Sequence, residues 1–354
     1  MSAEQVARSH YRRRRLLVEA LAAVAKRLWL RVDPADIARS WTTQLAELVA
    51  LTNATQIAAA RSADEYVDEV LDAQGINPSP AGRLMAASVA GVASDGRPLA
   101  SLLYEPAIRA LSAVGAGAEV DRALAGGFAA LDTMVRTQVA DAGRAADQVA
   151  LVSRPAATGW VRMVVGRTCG RCVVLAGRRY SWQADFDRHP HCDCIAVPAG
   201  EDTADDIRTN PRAWFNRLDE IEQNRQFTVA GAQAIRDGAD IAQVVNARRG
   251  AFGLTPAGAR ITADEARMLR GGRDRGRLQV SDVFGHQLYV TTEGTTTRGQ
   301  AGIRLGARRD RVKVENARYT SAKAPRLMPE SIYKIADGNR DEAIRLLRRF
   351  GYIT

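Results

Sequence analysis

Apolar residues recur at helical spacing along the first 150 residues of the chain. Leu17, Leu21 and Leu28 fall on one face of a segment that begins with a run of arginines. Asp33-Pro34 is a helix start signal, and Gly75 is a stop signal. The pattern predicts helices over 10–31, 34–50, 55–73, 81–93, 99–114 and 118–150. We therefore expect this part of the chain to be almost entirely helical.

The pattern becomes mixed after Gly159. Alternation predicts a strand over 160–165 and a second short strand over 195–197, with a loop over 173–188 between them. Further along, the sequence predicts helices within 203–249, a β-like stretch over 284–291 and a final helix over 329–349.

The composition is that of a chain without a membrane segment. Its 354 residues suffice for two or three domains, and no apolar stretch reaches the roughly 18 residues that a membrane helix needs. The N-terminal segment superficially resembles a signal peptide, but Glu19, Lys26 and Arg27 interrupt its apolar run, which favours an amphipathic helix. A chain that is not exported stays in a reducing compartment, where cysteine pairs are more often metal ligands than disulfides.

Positive charge is concentrated at the two ends of the chain. The formal net charge is +10; residues 1–33 carry 8 Lys and Arg against 3 Asp and Glu, and residues 260–326 carry 15 against 7. Such ends suit contact with a polyanion, for example nucleic acid or an acidic protein surface. The alternative is a solvated surface in an arginine-rich protein, because the chain has only four lysines. The candidate polyanion contacts are Arg12, Arg13, Arg14, Arg15, Arg308, Arg309 and Arg311.

All four cysteines lie within one window of 26 residues, from Cys169 to Cys194. Zinc prefers four thiolate or imidazole ligands in a tetrahedron, and two closely spaced cysteine pairs with histidines between them are typical of such a site. The window therefore predicts a closed, structural zinc knuckle whose ligands are Cys169 and Cys172 together with two of His189, Cys192 and Cys194. Two disulfides or four unconnected thiols are the alternatives.

Catalytic interpretations of the same window lack partner residues. A zinc deaminase needs His-x-Glu ahead of Pro-Cys-x-x-Cys, and the chain has neither motif. A His-Cys nuclease would use His189 and needs another histidine some tens of residues later, whereas the next histidine after the window is His286. We therefore expect no enzymatic activity.

Together these patterns predict a mainly α fold with a small α+β zinc-knuckle module, in an elongated chain of several segments. The predicted regions are a helical N-terminal region over 1–155, the metal-knuckle module over 156–200, a helical segment over 201–260 and a basic α+β region over 261–354.

The knuckle and its surroundings resemble the phage Mu F-like minor head proteins, particularly the branch carried by phages of actinobacteria. The resemblance covers roughly residues 135–354. It rests on Gly159-Trp160-Val161-Arg162, the Cys169 and Cys172 pair with Leu175-Ala176, Tyr180, the run from His189 to Cys194, Thr291 to Thr296 with Arg298-Gly299, Pro329 to Tyr333, Leu346-Leu347 and Gly351-Tyr352-Ile353.

The resemblance implies a structural virion component, inside the capsid or at the portal vertex, that aids head assembly or genome delivery. It implies the portal protein and the major capsid protein as partners, with packaged DNA as a further candidate and no membrane. Such a protein would be present in multiple copies and would assemble in the host cytoplasm. The zinc would fix a compact local core.

Two alternatives belong to other classes. A head-maturation enzyme would need a second catalytic cluster, for which His286 and Glu293 are only loose candidates. A zinc-dependent nucleic-acid-binding protein would place basic residues directly after the knuckle, whereas the acidic run from Glu201 to Asp206 follows it and would repel phosphate.

Overall fold

The computed structural model describes most of the chain. The described residues are 1–165, 168–184, 194–200, 210–250, 253–254, 278–283, 286–291, 293–313, 319–324 and 326–353. They are mainly helical, as the sequence predicts. No described helix is both long enough and apolar enough to cross a membrane.

The chain forms two compact units. Unit 1 comprises Met1–Arg167 and Ala176–Arg208, and unit 2 comprises Thr168–Leu175 and Thr209–Thr354. The four regions predicted from composition stay a prediction.

Unit 1 begins with five helices that account for most of its first 152 residues. They are α1 (Ala3–Trp29), α2 (Ile37–Arg61), α3 (Ala63–Asp72), α4 (Leu99–Gly115) and α5 (Val120–Val152). A capping box starts α1, because the Ser2 side chain accepts from the backbone of Gln5 while the Gln5 side chain accepts from Ser2. The Asp36 side chain caps α2 by accepting from the backbone N–H of Arg39.

Two tryptophans join the long helices of unit 1. The rings of Trp29 and Trp41 meet edge to face, with centroids 4.8 Å apart. Trp41 Nε1 donates to the carbonyl of Leu103 on α4, and Trp29 Nε1 donates to the carbonyl of Leu124 on α5. Both buried indoles therefore keep a hydrogen-bond partner while they fill the core.

The prediction of a helix near 81–93 is wrong. The structure has only a 3₁₀ turn there, Ala86–Val89, and none of its residues is buried. Alanine favours a helix, but a helix this short is marginal on its own, and the glycines Gly82 and Gly91 flank the stretch. Gly91, with φ of 83°, ends the turn.

A three-stranded antiparallel sheet completes unit 1. Its strands are β1 (Gly159–Val164), β2 (Arg179–Ser181) and β3 (Cys194–Ala199), in the order β2-β1-β3. The two predicted strands correspond to β1 and β3. The interval 173–188, predicted as a loop, is wrong in part because it contains β2 and the end of helix α6 (Gly170–Leu175). Every residue of the central strand β1 is buried.

Unit 2 is built from short elements. Its helices are α6, α7 (Pro211–Asn216), α8 (Glu220–Phe227), α9 (Val229–Arg236), α10 (Ile241–Ala247), α11 (Gln300–Arg304), α12 (Pro329–Ala336) and α13 (Arg340–Arg349). Its strands are β4 (Arg249–Gly250), β5 (Gly253–Leu254), β6 (Leu278–Val283), β7 (His286–Thr291), β8 (Arg311–Val312), β9 (Ser321–Ala322) and β10 (Arg326–Leu327). One antiparallel sheet has the order β10-β7-β6.

The predicted last helix, 329–349, is interrupted. Asp337 adopts a left-handed conformation with φ of 44°, and Gly338 follows with φ of 81°. This turn ends α12 and allows α13 to fold back, so that Ile332 and Leu347 both enter the core of unit 2.

Candidate functional site

Two of the predicted zinc ligands sit at the start of a short helix in unit 2. Cys169 precedes α6, and its carbonyl accepts a hydrogen bond from the backbone N–H of Val173. Cys172 lies inside α6 and is buried. Residues three apart in a helical turn have side chains on the same face, so this spacing fits two ligands of one ion.

Cys194 lies in unit 1, where it begins β3 and is buried. It pairs with Val164, the last residue of β1. His189 and Cys192 lie outside the described residues. Within the described ranges no group of three or more His, Cys, Asp or Glu side chains is arranged to hold a metal ion. The zinc site therefore stays a prediction from spacing.

The aromatic residues near the cysteine window have a structural explanation. The ring of Trp160 on β1 stacks on Tyr180 of β2 at 4.2 Å, and its Nε1 donates to the carbonyl of Ala184. A side chain at Gly159 would put its Cβ 2.2 Å from the carbonyl oxygen of Tyr180. The sequence Gly159-Trp160 with Tyr180 thus fixes the approach of β2 to β1.

The four consecutive arginines of α1 do not share one environment. Arg12, Arg13 and Arg15 are exposed, whereas Arg14 is only partly accessible. Arg13 donates to the Ser9 hydroxyl, and Arg15 lies 3.8 Å from the Glu19 carboxylate. Three of the predicted polyanion contacts are therefore at the surface, and one points into unit 1.

Arg14 belongs to a buried ionic cluster that the sequence analysis did not anticipate. Its guanidinium makes two hydrogen bonds to the carboxylate of Asp147 on α5, one of them 2.7 Å long. His10 Nε2 lies 3.2 Å from the same carboxylate, and the His10 ring stacks on Tyr66 at 3.9 Å. The Tyr66 hydroxyl donates to the carbonyl of Ala196 on β3. The cluster therefore connects α1, α3, α5 and the sheet within unit 1.

For both His10 and Asp147, burial and the nearby opposite charges shift the pKa in opposite directions. Burial lowers the pKa of His10, and the nearby Asp147 carboxylate offsets this only in part. Burial alone would raise the pKa of Asp147, but Arg14 and His10 outweigh it and hold that pKa below its ordinary value. The cluster is thus arranged for a neutral imidazole beside an ionised carboxylate.

A signal for this cluster is present in the sequence. The buried face of α1 contains Ala3, Ala7 and Leu21. His10 and Arg14 lie on the same helical face, because they follow at the same spacing. A classification into polar and apolar positions would nevertheless assign both residues to the surface. Buried polar groups at core positions need a partner, and the partner Asp147 is 133 residues beyond Arg14. Local sequence cannot identify a partner at that separation.

The second group of predicted polyanion contacts lies in unit 2. Arg308, Arg309 and Arg311 are all exposed. The backbone N–H of Arg309 donates to the carbonyl of Gly306 in a tight turn, and Arg311 starts the short strand β8. These three side chains follow each other along one exposed turn and strand.

The C-terminal motif residues pack the interior of unit 2. A Cβ at Gly299 would lie 2.1 Å from the carbonyl oxygen of Gly294, which leaves room only for glycine. Arg326 is fully buried; its guanidinium lies 3.8 Å above the Tyr352 ring, and its Nε donates to the carbonyl of Phe350. Burial lowers the pKa of Arg326. These residues hold the C-terminal segment in place.

Searches of curated proteins and of solved structures give no match. The family model described as VG15 protein matches residues 1–221. This range covers all of unit 1, together with α6 and α7. The match spans more than half of the chain, and the chain therefore belongs to the VG15 family, a phage virion-gene family.

Proposed function

We propose that the chain is a minor head protein of the Mu F-like type, a structural component that aids head assembly or genome delivery. The observation that carries the proposal is the VG15 family match over residues 1–221. Part of the Mu F-like motif set lies in unit 2, where it supplies close-packed residues such as Tyr352 and Gly299.

The long helices of unit 1 support contact with larger neighbours. Helices α1, α2 and α5 contain 27, 25 and 33 residues. At 1.5 Å per residue, each is about 40–50 Å long. We propose the portal protein and the major capsid protein as partners, several copies per particle, and a position inside the capsid or at the portal vertex.

A nonsense mutation in the gene for this chain tests the proposal. Particles made in a non-suppressing host should be misassembled, or filled but unable to deliver DNA, and the wild-type gene on a plasmid should restore infectivity. A normal yield of infectious particles without the chain would contradict the proposed role.

We also propose that the exposed arginines contact packaged DNA. Arg12, Arg13 and Arg15 on α1, and the group from Arg308 to Arg311, carry positive charge at the surface. Phosphate contacts release counterions, so the affinity for duplex DNA should fall steeply with salt. Replacing the three α1 arginines by glutamine should reduce the slope of log affinity against log salt by up to about 3. Affinity for DNA that does not change with salt would exclude this contact.

Zinc is the proposed cofactor, with a structural role only. Bound zinc would cross-link Cys169 and Cys172 to two donors among His189, Cys192 and Cys194. The thiolates would be its strongest ligands. The support for this cofactor is the spacing of the donors along the sequence, which is typical of a closed structural site.

A further inference from the structure

Unit 2 contains a cavity of about 530 Å³. Helices α8, α9 and α12 and strand β7 contribute its described lining. The apolar part of that lining comes from Val229, Ala230, Tyr289, Met328 and Tyr333. The volume falls within the range of about 300–1,000 Å³ that is usual for ligand pockets.

A buried ion pair stands at the polar side of this cavity. Arg248 is 4% exposed and pairs with Glu330. The Thr228 hydroxyl donates to Glu330 Oε1 at 2.9 Å and accepts from Arg248 at 2.8 Å. Arg248 and the Thr228 hydroxyl both donate to the same carboxylate oxygen, Glu330 Oε1. The other one, Glu330 Oε2, is buried and receives no hydrogen bond from any described residue.

The backbone at Thr228 is strained. Its φ is 66° and its ψ is 163°, a combination that a β-branched residue rarely adopts. The same residue caps α9, because its hydroxyl accepts from the backbone N–H of Gly231. Strain of this kind persists where the surrounding structure requires it, often at binding sites. Here it holds the hydroxyl that orients Glu330.

We propose that this cavity binds a lysine or arginine side chain presented by another protein, with the cationic head donating to Glu330 Oε2. The apolar walls would surround the aliphatic stem, as long basic side chains prefer. An anionic ligand would instead be repelled by the Glu330 carboxylate. The other two charged residues of the lining, Glu220 and Arg236, pair with each other at 3.7 Å, and Arg236 also donates to Gln223 and Gln233. The site goes beyond the proposed virion role and does not depend on it.

A titration of the full chain with methionine methyl groups labelled tests the proposal. Met328 lines the cavity, and the exposed Met85 in unit 1 serves as an internal reference. N-acetyl-arginine methylamide should shift the Met328 signal saturably and leave the Met85 signal in place. The uncharged analogue N-acetyl-citrulline methylamide has nearly the same shape, and we expect it to bind at least about tenfold more weakly, because a charged donor strengthens the hydrogen bond.

Two variants and a control complete the test. Glu330→Gln should weaken the arginine probe about tenfold. Because that change also alters the pair with Arg248, Val229→Trp provides a second variant, which fills the cavity from its 55% exposed edge and leaves the ion pair intact. Ile221→Trp, at an 82% exposed position on α8, should bind like the wild type. Equal binding of both probes, no shift of Met328, or unchanged affinity in Val229→Trp would overturn the proposal.

Discussion

At the residue scale, the face of α1 on which an arginine lies determines whether its side chain is exposed or forms a buried ion pair. Arg13 and Arg14 are neighbours in sequence, yet Arg13 is exposed and Arg14 pairs with the buried Asp147. Charge counts along the sequence treat both as surface cations. Arg14 lies on the inner face of α1 and stabilises unit 1. Arg13 lies on the outer face, where it can contact a partner.

Arg14→Gln should destabilise unit 1. The side chains of Arg14 and Asp147 are 11% and 6% exposed, so the change leaves a buried carboxylate without its main partner. The expected loss in the free energy of unfolding is about 3 kcal/mol. Denaturant titration followed by tryptophan fluorescence measures it, because four of the five tryptophans lie in unit 1. The matched control Arg13→Gln should leave the free energy of unfolding nearly unchanged.

The buried imidazole makes unit 1 sensitive to acid. Since burial lowers the pKa of His10 in the folded state, the unfolded chain takes up that proton first as the pH falls below about 6.5. The free energy of unfolding should therefore decrease from that pH downward, until the folded imidazole also titrates. The lowered pKa of Asp147 adds a further loss only at lower pH, below about 3.8.

Denaturant titrations at several pH values check this prediction. His10→Gln, which keeps a hydrogen-bonding group near Asp147 but does not titrate, should flatten the dependence between about pH 6.5 and 5. A variant with the same pH dependence as the wild type in this range would show that His10 is not the responsible group.

The zinc prediction also belongs to single residues. The purified chain should contain about one zinc ion, since the five candidate donors of the window are enough for only one four-ligand site. Cys169→Ser and Cys194→Ser should each lose the metal and unfold locally, measured by metal analysis and near-ultraviolet circular dichroism. His191→Ala is the control and should retain zinc, because His191 is not among the expected ligands. A stable, metal-free wild-type protein would disprove the knuckle.

At the scale of elements, apolar periodicity predicts the long helices well and the short ones poorly. The predicted ranges 99–114 and 118–150 match α4 and α5 within two residues at each end. The failures include α2, which runs unbroken from Ile37 to Arg61 where the pattern predicts separate helices over 34–50 and 55–73. The stretch 81–93 forms only a 3₁₀ turn, and a turn at Asp337-Gly338 divides the last helix. Backbone conformation at a single residue decides such boundaries, and periodicity does not report it.

Adjacent glycines in α5 show how close packing depends on one helical face. A Cβ at Gly127 would lie 2.6 Å from the Trp29 ring and 2.9 Å from the carbonyl oxygen of Pro106, whereas at Gly126 it would meet nothing within 4 Å. Gly127→Ala should therefore lower the free energy of unfolding by about 1–3 kcal/mol through overpacking between α5, α1 and α4. Gly126→Ala should raise it by about 0.5–1 kcal/mol, since alanine is the better helix former.

Thermal and denaturant unfolding of the two glycine variants gives the comparison directly. Changes of opposite sign in the free energy of unfolding of the two variants would show that packing of α5 against its neighbours, not helix propensity, determines the effect at Gly127. Equal effects would mean that α5 does not pack against Trp29 as described.

At the scale of the whole molecule, the family and the sequence motifs cover different parts of the chain. The VG15 match ends at residue 221, whereas the C-terminal motifs noted in the sequence, from Thr291 to Ile353, lie in unit 2. The sequence predicted the helical character, two strands and the surface position of most candidate arginines. It did not predict the cluster of His10, Arg14 and Asp147 or the buried Arg326, because each depends on partners distant in sequence.

Quantitative mass spectrometry of purified, DNA-filled heads tests the central claim most directly. Particles are freed of tails and treated with protease, so that only internal or tightly packed proteins persist. A minor head protein should be present in several intact copies per head, at a constant ratio to the portal protein. Heads that carry a full genome but lack this chain, or that lose it completely to protease, would contradict a role inside the capsid or at the portal vertex.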